Sequence, residues 1–141
     1  MRIVQCWWCD ERDGAAAMKD VLWIALGAVV GANLRYAVNR LALKVFSASV
    51  PYGTLIVNVS GSFILGLFLA WTSERVLADP RWRPLVAVGF CGAYTTYSSY
   101  SYETALLLEQ GHYGLATANF FANNVLTLLA VFAGMALARA L

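Results

Sequence analysis

The side chains that can do chemistry in this sequence are mostly uncharged polar groups set within apolar stretches. Residues 89–103, GFCGAYTTYSSYSYE, concentrate them. Gly89 and Gly92 precede the β-branched pair Thr95 and Thr96, a combination that predicts a helix broken at mid-segment. A break frees backbone carbonyls, which are ligands for a hard cation such as Na+. Tyr97 and Tyr100 lie one helical turn apart on a shared face. An aromatic ring has a positive edge, so an anion can meet two such edges without facing a full positive charge that would trap it. Ser98 and Ser101 add hydroxyls along the same stretch. Glu103, one turn beyond Tyr100, is placed either to orient hydroxyls or to hold a structural hydrogen bond.

Two further segments repeat the theme. Asn58 is followed one turn later by Ser62. Asn119, Asn123 and Thr127 recur at every fourth residue, with Asn124 beside them, and so form a polar stripe on one helix face. Neutral donors in a row can replace the water around a weakly held anion without binding it tightly. The same groups can also glue helices together, at about 1 kcal/mol per contact. Spacing alone leaves both readings open. Arg35 either draws anions into a vestibule or snorkels to the membrane interface.

Other chemistry finds little support. Cys6 and Cys9 form a C-x-x-C pair, but no second pair or nearby histidine completes a metal site. Cys91 reads as a small packing residue. His112, the single histidine, falls between predicted helices. No Ser/His/Asp set, H-E-x-x-H or phosphate-binding loop points to an enzyme. A net charge of +2 with scattered basic residues gives no surface for nucleic acid.

The elements that must position these groups are membrane helices. Of the 141 residues, 60% are hydrophobic and 13% charged. Soluble domains run nearer about 45–50% and about 25%. The pattern predicts an all-α integral membrane protein with four transmembrane helices, at about residues 20–43, 53–72, 84–108 and 113–138. At roughly 20–26 residues each, they cross a hydrocarbon core of about 30 Å. Gly27 and Gly31 in the first span have the G-x-x-x-G spacing that admits a close neighbour. Ser49, Pro51 and Gly53 open the second span, Asp79-Pro80 marks a turn, and Gly111 is a helix stop. Residues 1–17 differ in composition and read as an N-terminal extension, either an over-extended start or an interfacial arm, to a four-helix transmembrane domain at 18–141. They lack the apolar run of a signal peptide. Lys19, Arg75, Arg81, Arg83 and Arg139 fall on one side, against Arg40 and Lys44 on the other, with Arg35 close behind. This bias is too weak to set an orientation.

Three ordered elements resemble the CrcB/Fluc family of fluoride channels. Residues 31–36, GANLRY, resemble its G-x-x-x-R-[YW] element. Residues 53–58 with Gly61 resemble G-T-L-x-x-N-x-x-G, and residues 89–103 resemble G-F-C-G-G-x-T-T-F-S-T-F-S-x-E. The resemblance implies a multi-pass protein of the cell inner (plasma) membrane, with membrane lipid as its surroundings. It implies an antiparallel, dual-topology homodimer with fluoride pores along the dimer interface. Their passive, selective flow would lower cytoplasmic fluoride. It implies a structural, untransported Na+ at the dimer centre, held here by the carbonyls of Gly92 and Thr95. The pathway residues it implies are Asn58, Tyr97, Tyr100, Ser98, Ser101, Glu103, Asn119, Asn123 and Thr127, with Arg35 at a vestibule.

The sequence departs from the family pattern at a few positions. Tyr97 and Tyr100 stand where the family has phenylalanines, Ala93 replaces a glycine, and Ser99 replaces a threonine. A ring edge survives at both tyrosines, with a hydroxyl added. A small proton-coupled multidrug transporter would need an acidic residue in its first helix, and none lies between Val21 and Lys44. A non-conducting interaction protein would use the same polar stripes for assembly only.

Overall fold

The computed structural model describes residues 14–46, 50–74 and 81–141. Cys6, Cys9, Ser49, Arg75 and Asp79-Pro80 lie outside the described residues. Among the described residues every regular element is helical. Helix α1 is Gly14–Val45 and α2 is Tyr52–Glu74. Helix α1 therefore begins inside the stretch that composition sets apart. Helix α3 covers residues 83–94: Arg83–Cys91 is wound as a π-helix and Gly92–Tyr94 closes as one α-turn. Helix α4 is Tyr97–Glu109. Helix α5 is Tyr113–Ala140, with a wider π-wound turn at Ala122–Leu126.

Three of these helices are long and apolar enough to cross a membrane: Met18–Val45, Tyr52–Ser73 and Tyr113–Ala140, with mean hydropathies of 1.6, 1.8 and 1.8. They make this a multi-pass membrane protein. Its outer surface carries large apolar side chains such as Leu22, Val29, Leu128 and Phe132, all more than half exposed. Its interior holds small residues: Ala42, Ala87, Ala116 and Ala138 are buried. A soluble domain would reverse this arrangement. In lipid the apolar exterior is solvated, and close packing of small residues draws the helices together.

Backbone contact sets the helix crossings. A Cβ at Gly27 would stand 2.1 Å from the Leu85 carbonyl oxygen, and one at Gly31 would stand 2.4 Å from that of Phe90. The G-x-x-x-G face of α1 therefore meets the backbone of α3. Helix α5 meets α2 in the same way, since a Cβ at Gly134 would lie 2.3 Å from the Phe63 oxygen.

The predicted break falls at Thr95 and Thr96, which are extended at φ −80°, ψ 159° and φ −152°, ψ 109°. Extended backbone suits β-branched residues. Thr96 then caps α4: its Oγ1 accepts from the Ser99 N–H at 3.2 Å. At the other end of α4, Gly111 takes φ 76°. The His112 N–H donates to the Leu107 carbonyl at 2.9 Å and the Gly111 N–H to that of Leu108 at 3.0 Å. This paired closure needs a residue at positive φ, which glycine supplies without strain.

Candidate functional site

Asn58 organises the break. It is 8% exposed and reaches from α2 to both backbone groups of Thr96. Its Oδ1 accepts the Thr96 N–H at 2.8 Å, and its Nδ2 donates to the Thr96 carbonyl at 3.1 Å. The second Nδ2 hydrogen goes to Asn123 Oδ1 at 3.0 Å. These bonds also decide the state of two carbonyls. A continuous helix would bring the Thr96 N–H to the Gly92 carbonyl and the Ser99 N–H to that of Thr95. Asn58 takes the first donor and the Thr96 side chain the second. Arg35 Nη1 donates to the Thr95 carbonyl at 3.4 Å. The guanidinium thus turns inward to the break.

From Asn58 the polar chain runs along α5 and onto α4. Asn123 Nδ2 donates to Asn119 Oδ1 at 3.0 Å and to the Asn119 carbonyl at 3.1 Å. Asn119 Nδ2 donates to Thr104 Oγ1 at 2.9 Å, and Thr104 Oγ1 donates to the Tyr100 carbonyl at 2.8 Å. Thr127 Oγ1 donates to the Asn123 carbonyl at 2.5 Å. The stripe expected at Asn119, Asn123 and Thr127 is therefore one connected face, and it joins Asn58. The wider turn at Ala122–Leu126 carries its central residue. Such turns occur often at functional sites.

Two cavities flank this chain. One, of about 270 Å³, is lined by Asn58, Thr95, Tyr97, Tyr100, Asn123 and Thr127, among others. The other, of about 710 Å³, includes Asn39, Thr54, Glu103, Gln110 and His112 in its wall. Thr54 and Asn58 are one turn apart on α2 and face one cavity each. Thr54 Oγ1 donates to Glu103 Oε1 at 2.7 Å, while Glu103 Oε2 is buried with no partner among the described residues.

The aromatic pair is split in its surroundings. The rings of Tyr97 and Tyr100 meet edge to face, with centroids 5.2 Å apart and planes at 65°. Tyr100 is 4% exposed and Tyr97 75%. Ser98 is exposed, with its Oγ 3.4 Å from Thr96 Oγ1. Ser101 is exposed and lines neither cavity. Sequence reading did not single out Thr54 or Thr104. Thr54 carried a signal, since it precedes Asn58 by the four-residue interval used for the other stripe. Thr104 carried none, because its partners lie on its own preceding turn and on α5.

The arrangement offers neutral donors and acceptors in series. Among the described residues no group of three His, Cys, Asp or Glu side chains could hold a metal ion.

Fold and site together define a multi-pass helical membrane protein with a broken helix held open at a buried polar track. The model of the family described as CrcB-like protein, Camphor Resistance (CrcB), matches residues 22–135, and the chain belongs to that family. It is 51% identical over 125 residues to the fluoride-specific ion channel FluC of Koribacter versatilis (strain Ellin345), covering 89% of this chain and 99% of that one. It is 49% identical over 124 residues to the FluC channel of Sulfurihydrogenibium sp. (strain YO3AOP1), covering 88% and 100%. The corresponding protein of Shewanella amazonensis (strain ATCC BAA-1098 / SB2B) is 46% identical over 120 residues, covering 85% and 96%. These relatives are named as ion channels, not as enzymes.

Proposed function

We propose that this protein is a fluoride-specific ion channel of the plasma membrane. Its 18–141 domain would let fluoride leave the cytoplasm passively and so reduce its toxicity. The observation that carries the reading is the connected, buried track of neutral groups from Asn58 through Asn123 and Asn119, with a cavity on either side. Such groups replace hydration water while holding an anion weakly enough to release it. Charged side chains in this position would bind too tightly. The relatives' names contribute the identity of the ion.

In this reading residues 83–109 form the third of four membrane crossings, made of two half-helices. Tyr97, Tyr100 and Thr127 line the pathway with the asparagines at the first cavity, and Ser98 and Ser101 join it only where a second copy meets the exposed face of α4. Glu103 and Thr54 border its second cavity, and Arg35 attracts anions toward the first.

The functional unit is an antiparallel homodimer. Tyr97, Ser98, Ser101 and Tyr102 leave a polar face of α4 exposed, and lipid cannot satisfy such groups. A second copy covers them. The weak charge bias suits a chain that inserts in both orientations.

The Gly92 and Thr95 carbonyls fit a structural Na+ in chemistry, being hard oxygen donors released from helix bonding by Asn58 and Thr96. Gly92 faces open space, with nothing within 4 Å of where a Cβ would stand. Two oxygens are too few for such a cation alone, so the site needs the second copy. Arg35 beside the Thr95 carbonyl sets a limit, because the guanidinium and the cation would share that oxygen.

Fluoride efflux from liposomes holding the purified protein, read with a fluoride electrode and repeated for chloride, tests the function. Rapid fluoride loss with negligible chloride loss is expected. A well-folded protein that loses neither would overturn the channel reading. Exchanging Na+ for a bulky organic cation throughout purification is expected to weaken the dimer or stop flux. An intact dimer with full flux would remove the central ion.

A further inference from the structure

We infer that the Tyr100 hydroxyl donates a hydrogen bond to the conducted anion, and that Asn124 holds it in place to do so. This inference rests on the channel reading and adds a specific donor to it.

The argument is one of hydrogen-bond direction. Asn124 Nδ2 donates to the Phe120 carbonyl at 2.7 Å. A carbonyl only accepts, so this bond fixes which end of the Asn124 amide is nitrogen. The same Nδ2 lies 3.0 Å from the Tyr100 hydroxyl oxygen. An amide nitrogen only donates, so Tyr100 must accept here. Its own hydrogen is left to point elsewhere. No acceptor for it stands among the hydrogen bonds of the described residues. Tyr100 is 4% exposed, so the acceptor has to come from within the cavity that this residue lines.

Buried hydroxyl hydrogens find acceptors in nearly all proteins. Both Tyr100 and Asn124 line the 270 Å³ cavity at the break, together with Asn58, Asn123 and Thr127. An anion in that cavity supplies the acceptor. The hydroxyl is thus a free donor at the cavity, where the anion takes the place of water as its acceptor, and a phenylalanine at this position would offer a ring edge alone. Asn124 is a positioning residue: it occupies the oxygen and turns the hydrogen toward the path.

The test is fluoride efflux for the wild type, Tyr100→Phe, Asn124→Leu and the double variant, each checked for unchanged elution on size exclusion. A hydrogen bond to a charged group is worth roughly tenfold or more in occupancy. Tyr100→Phe is expected to cut flux about tenfold and to raise the fluoride concentration at half-maximal flux. Asn124→Leu is expected to do the same to a smaller degree, and to add nothing in the Tyr100→Phe background. Because Asn124→Leu leaves the tyrosine in place, it tests the hydroxyl even if Tyr100→Phe folds poorly. A conducting wild type with Tyr100→Phe within twofold of it would overturn the donor. Losses that multiply fully in the double variant would overturn the positioning role of Asn124. A folded wild type that passes no fluoride would sink the channel reading and this inference with it.

Discussion

Asn58→Ala is expected to reduce fluoride flux by about a hundredfold or more, and to loosen the backbone of the break. The side chain satisfies the Thr96 N–H, the Thr96 carbonyl and Asn123 Oδ1 at once. Alanine leaves the Thr96 N–H and Asn123 Oδ1 buried without these partners, while the Thr96 carbonyl keeps its place as the first acceptor of α4. Each orphaned group costs about 1–3 kcal/mol, so the loss exceeds that of an ordinary hydrogen bond. Released from Asn58, the Thr96 N–H loses the acceptor that holds it in the broken backbone, and the peptide at the break is free to fluctuate. Liposome efflux reads the conduction. Hydrogen exchange at the Thr96 amide reads the clamp and should become faster in the variant. Lost flux with unchanged exchange at Thr96 would mean that Asn58 serves the ion and not the break. Asn58→Asp is the informative companion. It keeps an acceptor for the Thr96 N–H but sets an oxygen against the Thr96 carbonyl and Asn123 Oδ1, so it should fail as well.

Gly134→Ala is expected to destabilise the protein by about 1–3 kcal/mol, the usual cost of overpacking. Its Cβ would fall 2.3 Å from the Phe63 carbonyl oxygen and 2.7 Å from the Leu67 nitrogen. Both are backbone atoms of α2, so no side chain can turn aside. Helices α2 and α5 must separate, and these two helices also carry Asn58 and Asn123. Flux should therefore fall along with stability. Gly114→Ala, on the same helix, meets nothing within 4 Å and serves as the control. Thermal inactivation in detergent compares the two. Equal stability of both variants would remove the tight α2–α5 crossing.

Both results depend on contacts that span long stretches of sequence, and this separates what could be read in advance from what could not. Periodicity and composition are local properties. They suffice for the three long apolar helices, because a membrane leaves a backbone few other ways to satisfy itself. They suffice for the break, because glycines and two adjacent β-branched residues disfavour a continuous helix at Thr95 and Thr96. They suffice for Gly111, whose positive φ no other residue type takes as readily. The four-residue interval of Asn119, Asn123 and Thr127 likewise fixed their common face.

Which group each of those side chains would meet was decided by tertiary structure alone. Asn58 lies 38 residues from Thr96 and 65 from Asn123, and no local pattern encodes such a meeting. Asn58 was legible as a polar residue in a membrane, but its role as a clamp on a backbone peptide was not. The pairing of Thr54 with Glu103 across 49 residues, and of Tyr100 with Asn124 across 24, depends on how α2, α4 and α5 cross. The crossing of α2 with α5 is set in turn by Gly66 and Gly134, where the backbone of one helix presses into the other. Hydrogen bonds act over about 3 Å, and only packing brings distant residues that close. Local residue pattern is enough to make this chain a set of membrane helices with a broken segment and polar faces. The packing of those helices decided that the polar faces join into one track.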